Sequence, residues 1–183
     1  LGDVYKRQCP ACGVPAALTF FDGGHAPLAA LGWPRTREEA QAMPRYPLDF
    51  VQCAACGHVW NRAFCYDDIP YRDQPNRMFN TGALWQGHLA ELAQTTIALL
   101  PDDPCVIEIG LLRPFLHALA VRRTGRYLGF DPHGQAQAHG AFAFEARLFV
   151  PEEDLPRFAP DLIVLRHVLE HFTEPAAFVL QLA

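Results

Sequence analysis

Two short cysteine pairs constrain this chain more than any other feature of its sequence. Cys9 and Cys12 form one Cys-x-x-Cys turn, Cys53 and Cys56 form a second, and a glycine directly follows each turn. Such a turn brings two thiolates to one side of the backbone, and the glycine permits the close backbone approach that the turn needs. Four thiolates are the ligand set of a tetrahedral Zn²⁺ ion, so the pairs predict a closed, structural zinc site.

A redox-active dithiol and a set of unrelated cysteines are the alternatives to this zinc site. Paired Cys-x-x-Cys turns in a reducing compartment bind metal more often than they form disulfides. His58 follows the second pair and competes as a ligand, although four cysteines already satisfy the metal. We expect Cys65 and Cys105 to be core or packing residues, with a spare thiol near the module as the alternative for Cys65.

The character of the sequence changes near residue 76. Residues 9–75 are rich in Cys, Pro and Gly between short apolar pieces. This composition predicts a small β-rich module that needs a bound metal ion for stability. Beyond it, a predicted helix leads into apolar strand-like runs that alternate with helical stretches, which favours βαβ units and a parallel sheet. The predicted strands are Cys105–Ile109, Tyr127–Phe130 and Asp161–Leu165, with a helix over Phe115–Arg123. The predicted fold class is therefore α/β, with a zinc-stapled N-terminal module followed by a partial, Rossmann-like doubly wound domain over 76–183.

The residues at both ends of the sequence lead to separate expectations about which part of the chain belongs to the fold. The stretch from Asp3 to Gln8 looks like the translation of a transposon adaptor from a sequencing library, so residues 1–8 are excluded from the predicted fold; a genuine leader is the alternative. The apolar helical pattern from Phe178 to Ala183 continues without a glycine or proline stop signal. We therefore expect the second domain to be truncated at its C-terminus.

Composition excludes some classes of partner. The 183 residues are 50% hydrophobic and 19% charged, which is typical of a globular chain. The formal net charge of -5 disfavours nucleic acid as a partner, because phosphate binding needs a Lys/Arg surplus. The sequence contains no apolar run long enough for a membrane span and no secretory signal pattern, so we expect no membrane partner and a cytoplasmic location.

A candidate ligand site lies after the first predicted strand of the second domain. Glu108 and Gly110 close that strand, and a parallel α/β sheet places its ligand loop at the carboxyl end of the first strand. Asp131 follows the next predicted strand, where an acid typically binds ribose hydroxyls. A glycine after an apolar run is common, so this pattern alone is a weak signal.

The segment His167-Val168-Leu169-Glu170-His171 follows the last predicted strand. At this point the chain resembles class I S-adenosylmethionine-dependent methyltransferases, whose fourth strand commonly ends in a similar segment. The longer resemblance is to the sugar C-methyltransferase family, which joins a zinc module to this domain. It covers roughly residues 9 to 183, and the features similar to that family's linking region are Arg45-Tyr46-Pro47-Leu48, Tyr66, Tyr71 and Trp85-Gln86-Gly87-His88.

The resemblance implies methyl transfer from S-adenosylmethionine to a carbon of a nucleotide-linked keto-deoxysugar or a related small molecule. In that chemistry a base removes a proton beside the ketone, and the resulting carbanion attacks the sulfonium methyl. The residues implied in holding the cofactor are Glu108, Gly110, Asp131 and His167, while Tyr66 and Tyr71 are candidates to face the sugar. No catalytic base is identified, and we expect this piece of the protein to be inactive alone.

One departure from the family pattern keeps other functions open. Gly110 is followed by Leu111-Leu112-Arg113-Pro114, where the family usually carries two more glycines, and bulky residues there crowd the cofactor's methionine moiety. The alternatives are a methyltransferase for another small molecule and a non-catalytic zinc-stapled binding module with a degenerate cofactor loop. His167 and His171 also suggest a metal pair on a helix, an inverted zinc-protease motif, or simple capping and packing.

Overall fold

The computed structural model describes residues 8–28, 34–68, 82–110, 114–132 and 142–183. The chain divides into two compact units, one formed by residues 1–77 with 173–177 and the other by residues 78–172 with 178–183. The domain boundary expected at residue 76 and most of the excluded segment 1–8 lie outside the described residues. Within the described ranges, no helix is long and apolar enough to cross a membrane.

The first unit is built on a three-stranded antiparallel sheet in the order β1-β2-β3. The strands are β1 (Ala17–Pro27), β2 (Arg45–Cys53) and β3 (Val59–Asn61), and a short helix α1 (Arg37–Ala42) lies between β1 and β2 along the chain. A single 3₁₀ turn follows at Tyr66–Asp68. The prediction of a small β-rich module is confirmed for the described residues.

The core of this unit is thin. Among its described residues only Cys9, Val51 and Cys53 are fully buried, while the β1 side chains of Phe20 and Phe21 remain more than half exposed. Three buried side chains remove too little apolar surface from water to offset the chain entropy lost on folding. The unit therefore depends on a further constraint, which the two cysteine pairs are placed to provide.

The second unit contains a four-stranded, fully parallel sheet in the order β6-β5-β4-β7. It begins with helix α2 (Ala83–Ile97), and its strands are β4 (Cys105–Ile109), β5 (Arg126–Phe130), β6 (Phe142–Glu145) and β7 (Leu162–Leu165). The further helices are α3 (Pro114–Ala120) and α4 (Pro151–Phe158), with a 3₁₀ turn at Leu169–His171, and α5 (Pro175–Gln181) belongs to this unit only from residue 178. The predicted parallel sheet is confirmed.

The path of the chain through this sheet determines where its loops meet. From the central strand β4 the chain moves to β5 and then β6 on one side, and it then crosses to β7 on the other side. Ile109 is in register with Phe130 of β5 and with Leu165 of β7, so the three strands end level. In such sheets, ligands bind at the carboxyl ends where the strand order reverses.

The sheet is covered on both faces. Side chains on one face pack with α2 and α3 in a cluster that includes Leu89, Leu116 and Tyr127. Side chains on the other face pack with Phe149 and Phe158. A strand buried on both faces reads as a continuous apolar run, which explains why β4 was predicted with its observed bounds. Cys105 is buried, as expected, whereas Cys65 is exposed beside the 3₁₀ turn and the core role predicted for it is wrong.

An ion pair joins the end of β6 to the start of α4. The Asp154 side chain is 1% exposed, and its carboxylate accepts two hydrogen bonds from the Arg147 guanidinium and one from the Val150 N–H at 2.8 Å. Hydrogen bonding from Arg147 outweighs desolvation and holds the pKa of Asp154 below its usual value. The Arg147 guanidinium also lies 4.9 Å from the centre of the Phe130 ring, which attaches this pair to β5.

We expect Asp154→Asn to lower the free energy of unfolding at neutral pH by about 2 kcal/mol, because it removes charge-assisted hydrogen bonds from a buried acceptor. The difference from the parent protein is fully present above about pH 4 and is lost as the pH falls through the lowered pKa of Asp154. Chemical denaturation at several pH values measures this. The exposed Glu152→Gln in the same helix is the control, and an equal, pH-independent loss in both variants would contradict the role assigned to Asp154.

Candidate metal centre and ligand-binding edge

The two cysteine turns have the same backbone structure. In each, the glycine N–H donates to the carbonyl of the first cysteine, at 2.8 Å for Gly13 to Cys9 and 2.9 Å for Gly57 to Cys53. Both glycines have a positive φ, of 74° and 77°, which residues with a β-carbon rarely adopt. The Ala54 N–H donates to the carbonyl of Ala16, the residue before β1, at 2.8 Å and so links the second turn to the segment that follows the first.

The four thiols converge on one point. Their sulfur atoms all lie within 4.8 Å of one another, and the Sγ–Sγ distances from Cys9 to Cys56 and from Cys12 to Cys53 are both 3.6 Å. Four sulfurs around a tetrahedral ion with Zn–S bonds of about 2.3 Å would be separated by about 3.8 Å. The predicted ligands therefore form a cluster that fits a tetrahedral metal ion, with one cysteine of each pair buried and the other exposed.

The four cysteine thiols lie close enough together to change one another's protonation. Backbone N–H groups of Cys56 and then Ala55 stabilise the thiolate of Cys53 and lower its pKa to about 7, despite desolvation. The Val14 N–H acts in the same direction on Cys12, but desolvation and the three neighbouring thiols together raise the pKa of Cys12 to about 12. The cluster thus releases its first proton readily and its last one reluctantly. A divalent cation at the centre of the cluster would allow all four thiolates to coexist.

His58 is not part of this cluster. The group of possible metal ligands found among the described residues consists of the four cysteines. The His58 ring instead stacks on Trp60, with 5.9 Å between ring centres, and its carbonyl accepts the Cys53 N–H at 2.8 Å. Its role in the described structure is to fix the backbone of the second turn.

We expect Cys53→Ser to abolish stoichiometric zinc binding and to unfold the first unit, because three thiolates remain and metal binding contributes folding free energy. Metal analysis of the purified protein and limited proteolysis measure the two effects. Cys65→Ser is the matched control, since this thiol is exposed and lies outside the cluster. Equal zinc content in the parent protein and both variants would exclude the four-cysteine site.

We expect Gly57→Ala to weaken zinc binding about fivefold, because an added β-carbon costs about 1 kcal/mol at positive φ. Apart from its chain neighbours, no heavy atom of the described residues lies within 4 Å of the position that this β-carbon would occupy, so the loss of affinity would report backbone strain without a steric clash. Gly57→Asn is the matched comparison. Its zinc affinity should lie between that of the parent protein and that of Gly57→Ala, because asparagine tolerates this conformation better than alanine. Competition with a chromophoric chelator gives the affinities, and an unchanged value for Gly57→Ala would contradict this role of the glycine.

At the second candidate site, Gly110 occupies the position after β4 that the sequence predicted. It has φ of 70°, and its N–H donates to the Phe130 carbonyl at 2.8 Å. A β-carbon at this position would overlap the Val168 side chain. Glycine is thus required here both by backbone conformation and by the close packing of Val168. The following residues 111–113, where the sequence departs from the family pattern, lie outside the described residues.

Asp131 lies one residue beyond the end of β5 and is partly exposed. Its N–H donates to the Glu145 carbonyl at the end of β6, at 3.3 Å. The Glu145 carboxylate is engaged by Arg147 at 2.7 Å and by Arg157 at 3.2 Å. The structure therefore brings Gly110 and Asp131 to the same carboxyl edge of the sheet, as the sequence predicted.

Glu108 is also close to this edge, but it lies inside the sheet. Its side chain is 0% exposed, and it is in register with Gly129 of β5 and Val164 of β7. Arg166 follows β7, and its guanidinium lies 4.8 Å from the Phe115 ring centre and 5.5 Å from that of Trp85. Burial lowers the pKa of Arg166, and the negative charge of Glu108 opposes this shift.

His167 is exposed at the same edge and adopts φ of 54°, a region that non-glycine residues rarely occupy. Its ring lies 6.3 Å from the Trp85 ring, and His88 approaches Trp85 to 5.5 Å. The 3₁₀ turn begins only at Leu169, so His167 and His171 do not share a helix. The helical metal pair and the inverted protease motif both require such a helix, so neither arrangement is formed.

Sequence reasoning missed the group around Arg166. Trp85, Phe115 and Arg166 come from α2, α3 and the end of β7, and no spacing along the chain indicates that they meet. The sequence feature that could have indicated this group is Arg166 itself, a charged residue directly after an apolar predicted strand. Of the tyrosines expected to face a substrate, Tyr66 is exposed in the first unit and Tyr71 lies outside the described residues.

Comparison with known proteins identifies no family. No protein-family model matches the sequence, and no curated protein matches it.

Proposed function

We propose that this chain is part of an S-adenosylmethionine-dependent methyltransferase that acts on a small molecule and is stabilised by structural zinc. The observation that carries the proposal is the carboxyl edge of the parallel sheet. There the reversal of strand order after β4 coincides with a glycine at positive φ and with Asp131 after the neighbouring strand. This is where α/β sheets bind nucleotide-containing ligands.

The residues at this edge have the chemistry that the cofactor requires. Asp131 is placed to accept hydrogen bonds from ribose hydroxyls, as acids after a second parallel strand commonly do. Gly110 leaves the end of β4 without a side chain, and Glu108, buried two residues before it, is the other residue of this strand assigned to the cofactor site. His167 is exposed at the same edge, where it can contact the cofactor or the acceptor. When bound, S-adenosylmethionine supplies an electrophilic methyl group.

The methyl acceptor is proposed from the sequence resemblance. That resemblance favours a carbon beside the ketone of a nucleotide-linked deoxysugar, and a related small molecule is the broader possibility. The first unit contributes stability in this proposal, because all four thiolates of its cluster would be ligands of the zinc and none would be available for chemistry.

A non-catalytic, zinc-stapled binding module is the second candidate. The observation that favours it is the packing of Val168 against Gly110, because this side chain fills the space that a missing β-carbon leaves for a ligand in nucleotide-binding loops. In that case Gly110 would only allow the close packing of Val168, and the carboxyl edge of the sheet would no longer bind a cofactor.

We expect calorimetry to show saturable binding of S-adenosylmethionine and S-adenosylhomocysteine, and Asp131→Ala to weaken both at least tenfold, about 1.4 kcal/mol, because it removes the acceptor for the ribose hydroxyls. Asp102→Ala is the matched control, since this exposed aspartate lies before the amino end of β4. Absence of binding by a folded, zinc-loaded protein would reject the methyltransferase proposal and favour the binding module.

A further inference from the structure

The arginines near the carboxyl edge of the parallel sheet are of two kinds. At the β6 end, Arg147 and Arg157 pair with the Glu145 carboxylate, at 2.7 and 3.2 Å, so their charges are balanced. At the opposite end, Arg166 directly follows β7, and its guanidinium contacts two aromatic rings. Among the ion pairs of the described residues, none includes Arg166. Arg166 is thus a cation whose described neighbours are rings instead of paired carboxylates.

Trp85 of α2 brings three basic side chains together. The guanidinium carbon of Arg166 lies 5.5 Å from the centre of the indole, and the rings of His88 and His167 lie 5.5 and 6.3 Å from it. The Phe115 ring of α3, at 4.8 Å, also contacts the guanidinium and restricts its position. We call Arg166, His88 and His167, with Trp85 between them, the Trp85 cluster. Its basic groups come from α2 and from the end of β7, and they converge on one half-buried indole.

The Trp85 cluster lies at the same edge as the proposed cofactor position. Leu165 of β7 is in register with Ile109 of β4, so Arg166 follows its strand at the level at which Gly110 follows the neighbouring one. His88 and His167 are both exposed, so solutes can reach the cluster. His167 also adopts φ of 54°, and strained backbone of this kind is concentrated at ligand-binding and catalytic sites.

The composition of the cluster favours an anionic ligand. Placing basic groups together costs free energy through like-charge repulsion, and an anion among them removes that cost. Burial lowers the pKa of Arg166, but the negative charge of Glu108 inside β4 opposes this shift, so the guanidinium keeps its charge. An imidazole donates an N–H whether it is neutral or protonated. Three donor side chains match the three oxygens of a terminal phosphate better than the two of a carboxylate.

We propose that the Trp85 cluster is an anion-binding site, in which Arg166, His88 and His167 donate hydrogen bonds to a phosphate group of the methyl acceptor. The binding of phosphate is argued from the cluster alone. Its assignment to the acceptor rests on the proposed function, in which a nucleotide-linked small molecule lies beside the cofactor. The two rings that hold Arg166 then fix the direction in which its planar group meets the phosphate.

Calorimetry of the full chain with uridine diphosphate and with inorganic pyrophosphate tests the site. We expect saturable binding of both probes, and much weaker binding of uridine, which has no phosphate. Arg166→Met keeps an apolar side chain against the two rings but removes the charge and the donors. It should weaken the binding of both phosphate probes by about tenfold or more, because charge-assisted hydrogen bonds to the anion are lost.

Three further variants separate the contributions within the site. Arg122→Met is the matched control, because it removes the same charge from an exposed arginine that donates to the Ala118 carbonyl and lies outside the cluster. Arg166→Lys keeps the charge without the planar group, so its affinity should lie between that of the parent and that of Arg166→Met. His88→Phe keeps a ring beside Trp85 but removes the N–H donor, and it should weaken binding about threefold.

S-adenosylhomocysteine separates this inference from the proposed function, because it carries a carboxylate but no phosphate. Its affinity should be the same in the parent protein and in Arg166→Met. An equal loss of affinity for S-adenosylhomocysteine and for uridine diphosphate would overturn the assignment to the acceptor, since Arg166 would then bind the cofactor or only pack. If the parent binds both phosphate probes but not S-adenosylhomocysteine, the anion site stands and the proposed function fails.

The site itself would be rejected if the parent protein bound neither phosphate probe, or if Arg166→Met weakened their binding no more than Arg122→Met. If Arg166→Met does not fold, Arg166→Lys and His88→Phe decide the question. Reduced affinity for both phosphate probes in these two variants supports the site, and unchanged affinity in both rejects it.

Discussion

The burial of β4 on both faces, with hydrogen bonds to a parallel neighbour on each side, is the constraint on which the second unit depends. All five of its residues are buried. Because β5 and β7 are held in register with it, the three strands end at one level, and the residues that follow them share one edge. The positions of Gly110, Asp131 and Arg166 are therefore consequences of strand pairing, which is more rigid than the loops themselves.

The two units are stabilised by different means. The second has an apolar cluster on each face of its sheet. The first buries only three of its described side chains, and two of these are the candidate metal ligands Cys9 and Cys53. Hydrophobic burial is nearly independent of pH and of chelators, whereas a thiolate–metal cluster would respond to acid, oxidants and chelators. Conditions that remove metal would therefore act on the first unit before the second.

The sequence predicted the elements whose patterns are strong and local. The apolar run of β4 and the paired cysteine turns each have a physical requirement that short sequence patterns display, and Gly110 ends its strand as expected. Strand β6 was missed because it is short and only partly buried, and α4 because Pro156 lies within it. Cys65 was misassigned because exposure depends on the fold around a residue. The contact of Arg166 with Trp85 arises from tertiary packing and leaves no periodic signal.

The matching hydrogen bonds of the two cysteine turns have a consequence for how the first unit assembles. Each turn can form locally, but a metal held by one pair lacks half its ligands until the segment between the pairs has closed into the β1–β2 hairpin. The entropy cost of closing a loop of this length comes before coordination by four ligands can stabilise the closed state. A metal ion bound by all four cysteines would therefore stabilise the hairpin after it has closed, and would slow its opening more than it speeds its closing.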